Sequence, residues 1–300
     1  KKYENKGVNK INILYCAIRQ CNDSRFLAGM QRLSNNNCPK FSDRELITVY
    51  LWGLKQQLPT RKAIYNYTKT HLANRFRNLP SYQAFCRRLN RLAGAFRALA
   101  EIWAEKAAAQ SKRSHHFMLD SCPILLAKDS RSNHAKVAGE LCTMTRNPIR
   151  KQWYYGVKLH IIAMRRPGRL PILCAMYIGS ASLCDLWAAK QMVNDCAPIS
   201  NGTMFADRAY IDAKWTEELK LRYNIDLITP RKKLLYEKVP LHDAFSTYVS
   251  SMRQPIESLF NWINVKTGIQ NASHVRSIQG LLFHVFSALA FACWSLAFNY

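Results

Sequence analysis

The sequence predicts a mixed α/β fold, in which a basic, all-helical first half precedes a mixed sheet with helices packed on its faces. Three observations carry this. Up to about residue 110, apolar residues recur at intervals of three and four, the period of amphipathic helices. Beyond it, short β-rich apolar runs alternate with helix-like segments, as in a sheet covered by helices. Between them lies a small, polar, basic joint, Ala107 to His115, so the chain divides into a helical domain, 1–112, and a second domain, 113–300.

In the first half, Ile11 to Ile18 reads as a helix and 34–39 (Ser-Asn-Asn-Asn-Cys-Pro) as a loop. Ser42 followed by Glu45 forms a capping box ahead of Leu46, Ile47, Val49 and Leu51. Pro59-Thr60 opens another helix, reaching about Phe76 with Ile64, Tyr67, Thr68 and Leu72 on one side. Pro80-Ser81 opens one long helix through Phe85, Leu89, Leu92, Phe96, Leu99, Ile102 and Trp103. Its other side carries Arg87, Arg88, Arg91 and Arg97. Two helices joined at 75–80, the second rich in Arg, fit a helix-turn-helix in which Arg87, Arg88 and Arg91 approach DNA. An ordinary bundle with a basic polar face fits equally.

The second half opens with a strand, His116 to Leu119, that ends at Asp120. A polar, basic stretch from Lys128 to Lys151 reads as loop. Trp153–Met164 and Leu170–Ile178 form a hairpin around the turn Arg165-Arg166-Pro167-Gly168-Arg169. Ser182 caps a helix from about Leu183 to Val193, and a strand from Gly202 ends in Asp207. A helix at Ala213–Tyr223, capped by Asp212, a strand at Ile225–Thr229, a basic loop at 231–233 and a helix bearing Glu257 follow. The last run, from Leu281, lacks Lys, Arg, Asp and Glu and is long enough to cross a bilayer. It also holds His284, Ser287, Ser295 and Asn299, and a buried core helix is the preferred reading.

Charge limits the partners. The formal net charge is +25 and the pI near 9.9, which points to a polyanion. Residues 1–114 hold 22 Lys/Arg against 6 Asp/Glu, a net of +16, and the remainder a net of +9. The basic residues are spread through folded-looking sequence rather than gathered beside a membrane segment, so nucleic acid is the expected partner and no membrane is. Ten cysteines include no C-x-x-C pair, which removes zinc-finger and ribbon spacing. The opening residues lack the apolar run of a secretory signal. Reduced thiols and a cytosolic location are expected. The chain begins without Met, and its true start is expected upstream.

Three carboxylates carry the chemistry. Asp120 and Asp207, 87 residues apart, each follow an apolar strand, and Glu257 lies 50 further on in a helix. An unpaired charge beside a buried strand is costly. Taken singly, each Asp suits a loop cap and Glu257 a surface helix position. Together they suit hard divalent cations, which take oxygen ligands. Two such ions clamp the attacking and leaving oxygens of a phosphoryl transfer.

The runs Leu119-Asp120-Ser121-x-Pro123, Tyr155-Gly156-Val157-Lys158-Leu159-His160, Ala206-Asp207-Arg208-Ala209-Tyr210 and Arg253-x-x-x-Glu257 resemble DDE transposases of small bacterial insertion sequences. That family has a ribonuclease H-like catalytic core. The resemblance covers about 115–300, and more loosely the helical half. It implies that Asp120, Asp207 and Glu257 are catalytic and bind two Mg²⁺ or Mn²⁺ ions. It further implies hydrolysis at the element's ends, then attack of the freed 3′-hydroxyls on target DNA. The partners implied are terminal inverted repeats, target DNA and a second copy of the chain in a synaptic complex, in a bacterial cytoplasm. Arg253 and Lys158 are expected at DNA phosphates, with Arg87, Arg88, Arg91, Arg150 and Lys151 lining the DNA. Relatives often place Tyr before the Arg and Lys after the Glu. Those spacings fall here on Ser250 and Asn264, with Tyr248 and Lys266 two residues away. Asp185 reads as a helix-dipole partner in preference to a fourth ligand, and His160 and His284 as packed core residues in preference to ligands. The other readings are a non-catalytic DNA-binding remnant or repressor, and a structure-selective nuclease on the same core.

Overall fold

The structure is a computed structural model that describes residues 2–30, 39–111, 114–147, 151–195, 199–231 and 243–298. Six helices come first: α1 (Lys2–Arg19), α2 (Ser24–Met30), α3 (Asp43–Lys55), α4 (Arg61–His71), α5 (Tyr82–Arg91) and α6 (Ala93–Ala109). The capping box forms as expected: Ser42 Oγ accepts from the Glu45 N–H, and Glu45 accepts from the Ser42 N–H. Thr60 caps α4 and Ser81 caps α5 by side-chain oxygen alone, accepting the Ala63 and Ala84 N–H groups.

The long helix expected from Ser81 through Trp103 is two helices. Leu92 closes α5 and opens α6 with φ −84° and ψ 12°. The break lets α6 change direction and meet α2 at very short range. A Cβ added at Gly29 would lie 2.4 Å from the Ala95 backbone nitrogen. Helix α2 was invisible in the sequence pattern because it is seven residues long with one buried side chain, Phe26. The α4–α5 connector runs from Leu72 to Ser81. It is too long for the turn of three or four residues in a helix-turn-helix.

The sheet follows. Its strands are β1 (His116–Lys128), β2 (Thr143–Asn147), β3 (Gln152–Arg166), β4 (Arg169–Ser180), β5 (Gly202–Phe205) and β6 (Ile225–Ile228). The order is β2-β3-β1-β5-β6, with β4 also on β3 beyond β2. Strand β3 runs antiparallel to both β1 and β4, whereas β5 and β6 run parallel to β1. Helices α7 (Asp185–Asp195), α8 (Ala213–Tyr223), α9 (Ala244–Thr267) and α10 (Ile278–Ala297) complete the chain. Two expectations need revising. Strand β1 continues past Asp120 to Lys128, and β2 lies inside the stretch read as loop. Helix α7 starts at Asp185 rather than Leu183, and Ser182 Oγ pairs with Thr143 Oγ1 at 2.9 Å instead of capping it.

One core runs through both halves. Helix α10 packs along α6 and also touches α3 and α5, so residues late in the chain complete the helical half. Tyr50, Phe96 and Phe283 interlock edge to face with centroids 4.8 to 6.0 Å apart. Helix α10 passes a membrane-span test on length and composition, yet 89% of its apolar window is buried in the protein. That burial explains its lack of charge.

Gly156 marks the tightest point of the sheet. A Cβ there would lie 2.1 Å from the Ile124 carbonyl oxygen, and neither backbone can retreat from the β1–β3 ladder. Gly156→Ala is expected to destabilise the chain by at least about 1–3 kcal/mol through overpacking. A urea-unfolding midpoint equal to the parent's would contradict the register drawn here.

Candidate active site

The edge of β1 is interrupted where Asp120 stands. Strand β5 pairs only with His116–Met118 and ends at Phe205. The edge is next bonded at Leu125, whose N–H reaches the Gln270 carbonyl and whose carbonyl receives the Ala272 N–H, both at 2.9 Å. Asp120 lies in the gap, paired on its other side with Ile161 of β3. Asp207 arrives at the same place because β5 has just ended. It caps the short 3₁₀ turn Arg208–Tyr210, with Oδ1 accepting the Ala209 N–H at 2.8 Å. Glu257 comes from α9, which packs over β1, β4 and β5, and it is exposed one helical turn after Arg253.

The electrostatics tie these groups together. Burial pushes the Asp120 carboxyl up to about 6. Arg253 and the Ser121 N–H pull it down, while the charges of Asp207 and Glu257 push it further up. Three sequence-distant carboxylates therefore share one field. Arg253 Nη2 bonds Asp120 Oδ2 at 3.2 Å, with side-chain exposures of only 13% and 18%. Arg253 Nε is buried and has no hydrogen-bond partner among the described residues. The donor set is all oxygen, with three negative charges against one guanidinium, which suits a hard divalent cation. Among the described residues no three carboxylates are already gathered as a metal-binding cluster. Arg253 is the charged partner of Asp120 among the described residues.

The expected DNA-contacting residues divide. Lys158 does not point free into the cleft: its Nζ lies 2.8 Å from Asp185 Oδ1. Arg88 is turned inward, bonding Asp43 Oδ1 and the Phe41 carbonyl, each at 2.6 Å. Arg87 is exposed, and half-exposed Arg91 lies 3.8 Å from Asp43. Lys151 is exposed, with φ of 51°, ahead of β3. Arg150 lies outside the described residues.

Two further residues stand by the site, and the residue pattern assigned neither its partners. Tyr210, 1% exposed, has a buried hydroxyl without a hydrogen-bond partner among the described residues. Its pKa is raised first by burial, then by Asp185, Asp120 and Asp207. Asp185 gathers Lys158, His160 and Ser121. A signal for it was present: Lys158 and His160 share one face of an otherwise apolar strand, which calls for a buried counter-charge.

A sheet in which antiparallel β4-β3-β1 continues into parallel β5-β6, with carboxylates at β1, after β5 and on a covering helix, is a ribonuclease H-like core. The family model described as "Transposase DDE domain" matches residues 110–278, more than half of the chain. The chain belongs to that family and is of the transposase kind. Among solved structures it is similar to the piggyBac transposase in a synaptic complex with hairpin DNA, seen by cryo-electron microscopy. The TM-score is 0.52 at 10% identity, covering 98% of this chain and 75% of that one. No curated protein matches the sequence.

Two outcomes follow from this geometry. The folded Asp120 carboxyl, at about 6, lies above its ordinary 3.8, so the folded chain binds that proton more tightly than the unfolded chain. This stabilisation is complete below the unfolded value and lost as pH rises through about 6. Asp120→Asn keeps the side chain uncharged and is expected to stabilise the chain in EDTA at pH 8 by up to about 3 kcal/mol, but little at pH 4. Urea unfolding at the two pH values measures it, and no gain at pH 8 would contradict the buried-charge reading. Arg88→Ala removes the two 2.6 Å bonds to Asp43 and the Phe41 carbonyl, with Arg91 still 3.8 Å from Asp43, and is expected to cost about 1.5–3 kcal/mol, whereas Arg87→Ala stays within about 0.5 kcal/mol. Equal unfolding midpoints for the two would overturn that division.

Proposed function

We propose that this chain cuts DNA at the ends of a mobile element and joins the freed 3′-hydroxyls to target DNA, with Asp120, Asp207 and Glu257 as its metal-binding triad. The observation that carries this is the shared field at Asp120, where two like charges from distant parts of the sequence add to burial. Like charges are placed together at a cost, and a function that needs cations accounts for that cost.

When bound, two Mg²⁺ or Mn²⁺ ions would neutralise the phosphate and activate water and hydroxyl nucleophiles there. The chain's own groups do the rest. Asp120 and Asp207 stand on a strand and a capped turn, rigid enough to fix ligand directions. Arg253 neutralises Asp120 in the resting chain, and its guanidinium turns to a phosphate oxygen once DNA is bound. Arg87, Arg91 and Lys151 add exposed positive charge that holds the duplex by counterion release. No side-chain nucleophile is needed. Two ends must be brought together, so the working form is a homodimer in a synaptic complex, in a bacterial cytoplasm. The division of labour at 112/113 assigns end binding mainly to the helical half. Since α10 belongs to the same core as α6, the halves are tested by point substitutions rather than by deletion.

The Arg253–Asp120 ion pair also suits a second reading, a DNA-binding protein without catalysis. One experiment separates them. A plasmid carrying the coding region with its flanking DNA is incubated with the protein and Mg²⁺ or Mn²⁺. Asp120→Asn, Asp207→Asn and Glu257→Gln are each expected to lower nicking by at least about 1,000-fold while DNA affinity changes little. Parent protein that binds the DNA but never nicks it, or variants that nick as the parent does, would favour the non-catalytic reading.

A further inference from the structure

A partly buried polar layer lies on the α7 side of β1, opposite the α9 side that carries Arg253. Asp185 Oδ1 is its centre. Lys158 Nζ lies 2.8 Å away, Ser121 Oγ donates at 3.2 Å, and His160 Nδ1 stands at 3.6 Å. The four groups come from α7, β3 and β1. His160 is fully buried, and burial lowers its pKa to about 4, so it stays neutral. Asp185 and Lys158 then balance each other within the layer.

The opposite face of the same stretch of β3 is apolar. Val157, Leu159 and Ile161, which alternate with Lys158 and His160, are 0% exposed. The Lys158 and Asp185 side chains are 17% and 26% exposed, and a sheltered ion pair of this kind can often be replaced by packed hydrophobes without loss, so stability alone does not account for keeping it. Its link to the triad is direct. Ser121 gives its hydroxyl to Asp185 and its backbone N–H to Asp120 Oδ1, the latter at 2.8 Å. Tyr210, three residues after Asp207, is buried in the fields of both Asp185 and the triad aspartates.

We infer that Asp185 is a positioning residue of the catalytic centre: by tying Ser121, Lys158 and His160 to the start of α7, it fixes the direction in which Asp120 presents its carboxylate. The inference rests on the metal-dependent reading above. Outer-shell partners of metal-binding carboxylates act in this way, and removing one typically costs about 10- to 100-fold in metal affinity or activity.

The test uses the full chain with Asp185→Asn, Asp185→Glu and Ser121→Ala. Lys190→Met, which breaks the Lys190–Asp212 bridge of 3.0 Å elsewhere on α7, serves as the control. Mn²⁺ binding is measured by calorimetry without DNA, and nicking rate and DNA affinity are measured separately. Asp185→Asn is expected to lower Mn²⁺ affinity and nicking rate by about 10- to 100-fold at unchanged DNA affinity. Asp185→Glu should recover part of the loss, and Ser121→Ala, which removes one hydroxyl, should reproduce part of it even if Asp185→Asn fails to fold. Parent-like Mn²⁺ affinity in both Asp185→Asn and Ser121→Ala overturns the inference. So does an equal loss in Lys190→Met, which would mark general loosening of α7. If the parent binds Mn²⁺ but never nicks, the proposed reaction fails, and the Mn²⁺ measurements still decide the role of Asp185.

Discussion

The pairing of β1 with β3, continuous from Phe117 to Leu125 and resumed at Ala127, is what the surroundings of Asp120 depend on. A strand bonded along that length cannot swing, and its two-residue period sends neighbouring side chains to opposite faces. Asp120 therefore meets α9 through Arg253, while Ser121 meets α7 through Asp185. Gly156 permits this ladder, since the two backbones approach too closely for any side chain there. The short β5 then leaves the other edge of β1 open, and Asp207 enters where it stops.

The same geometry places opposing demands on Asp120. Burial and two like charges favour its protonated form, whereas Arg253 favours the anion. The carboxyl thus sits well above the ordinary range despite an ion pair. Among the described residues one guanidinium, Arg253, faces Asp120, and further positive charge would favour its anionic form. Asp185 stands in contrast across the strand, its charge matched by Lys158 at 2.8 Å. Among the described residues, one face of β1 thus holds an unbalanced set of charges and the other a balanced one.

Much of this was legible in the residues because it depends on local chemistry. The capping box at Ser42, the hairpin around Pro167-Gly168, helix α8 with its Asp212 cap, and the apolar strands ending near Asp120 and Asp207 all follow from short-range patterns. The errors have a common cause. Arg87 and Arg88 are chemically alike and adjacent, yet only Arg88 faces Asp43, because the break at Leu92 and the packing of α5 set its direction. Lys158 matched a motif, but what it touches depends on α7 meeting β3. Strand β1 looked finished at Leu119 because a polar pair, Asp120 and Ser121, interrupts its apolar run, although the ladder continues through them. Helix α2 and strand β2 are too short for periodicity to register.

By itself, then, the amino-acid sequence determined the alternation of helices and strands and the basic character, and marked three carboxylates as candidates, since side-chain chemistry and spacing are written residue by residue. Only the tertiary structure decided that α10 completes the helical half, that Arg253 rests on Asp120, and that Asp185 reaches Ser121 from the far face of the sheet. Those facts depend on which surfaces meet when distant segments exclude water together, and no local pattern encodes the partner that a buried charge will find.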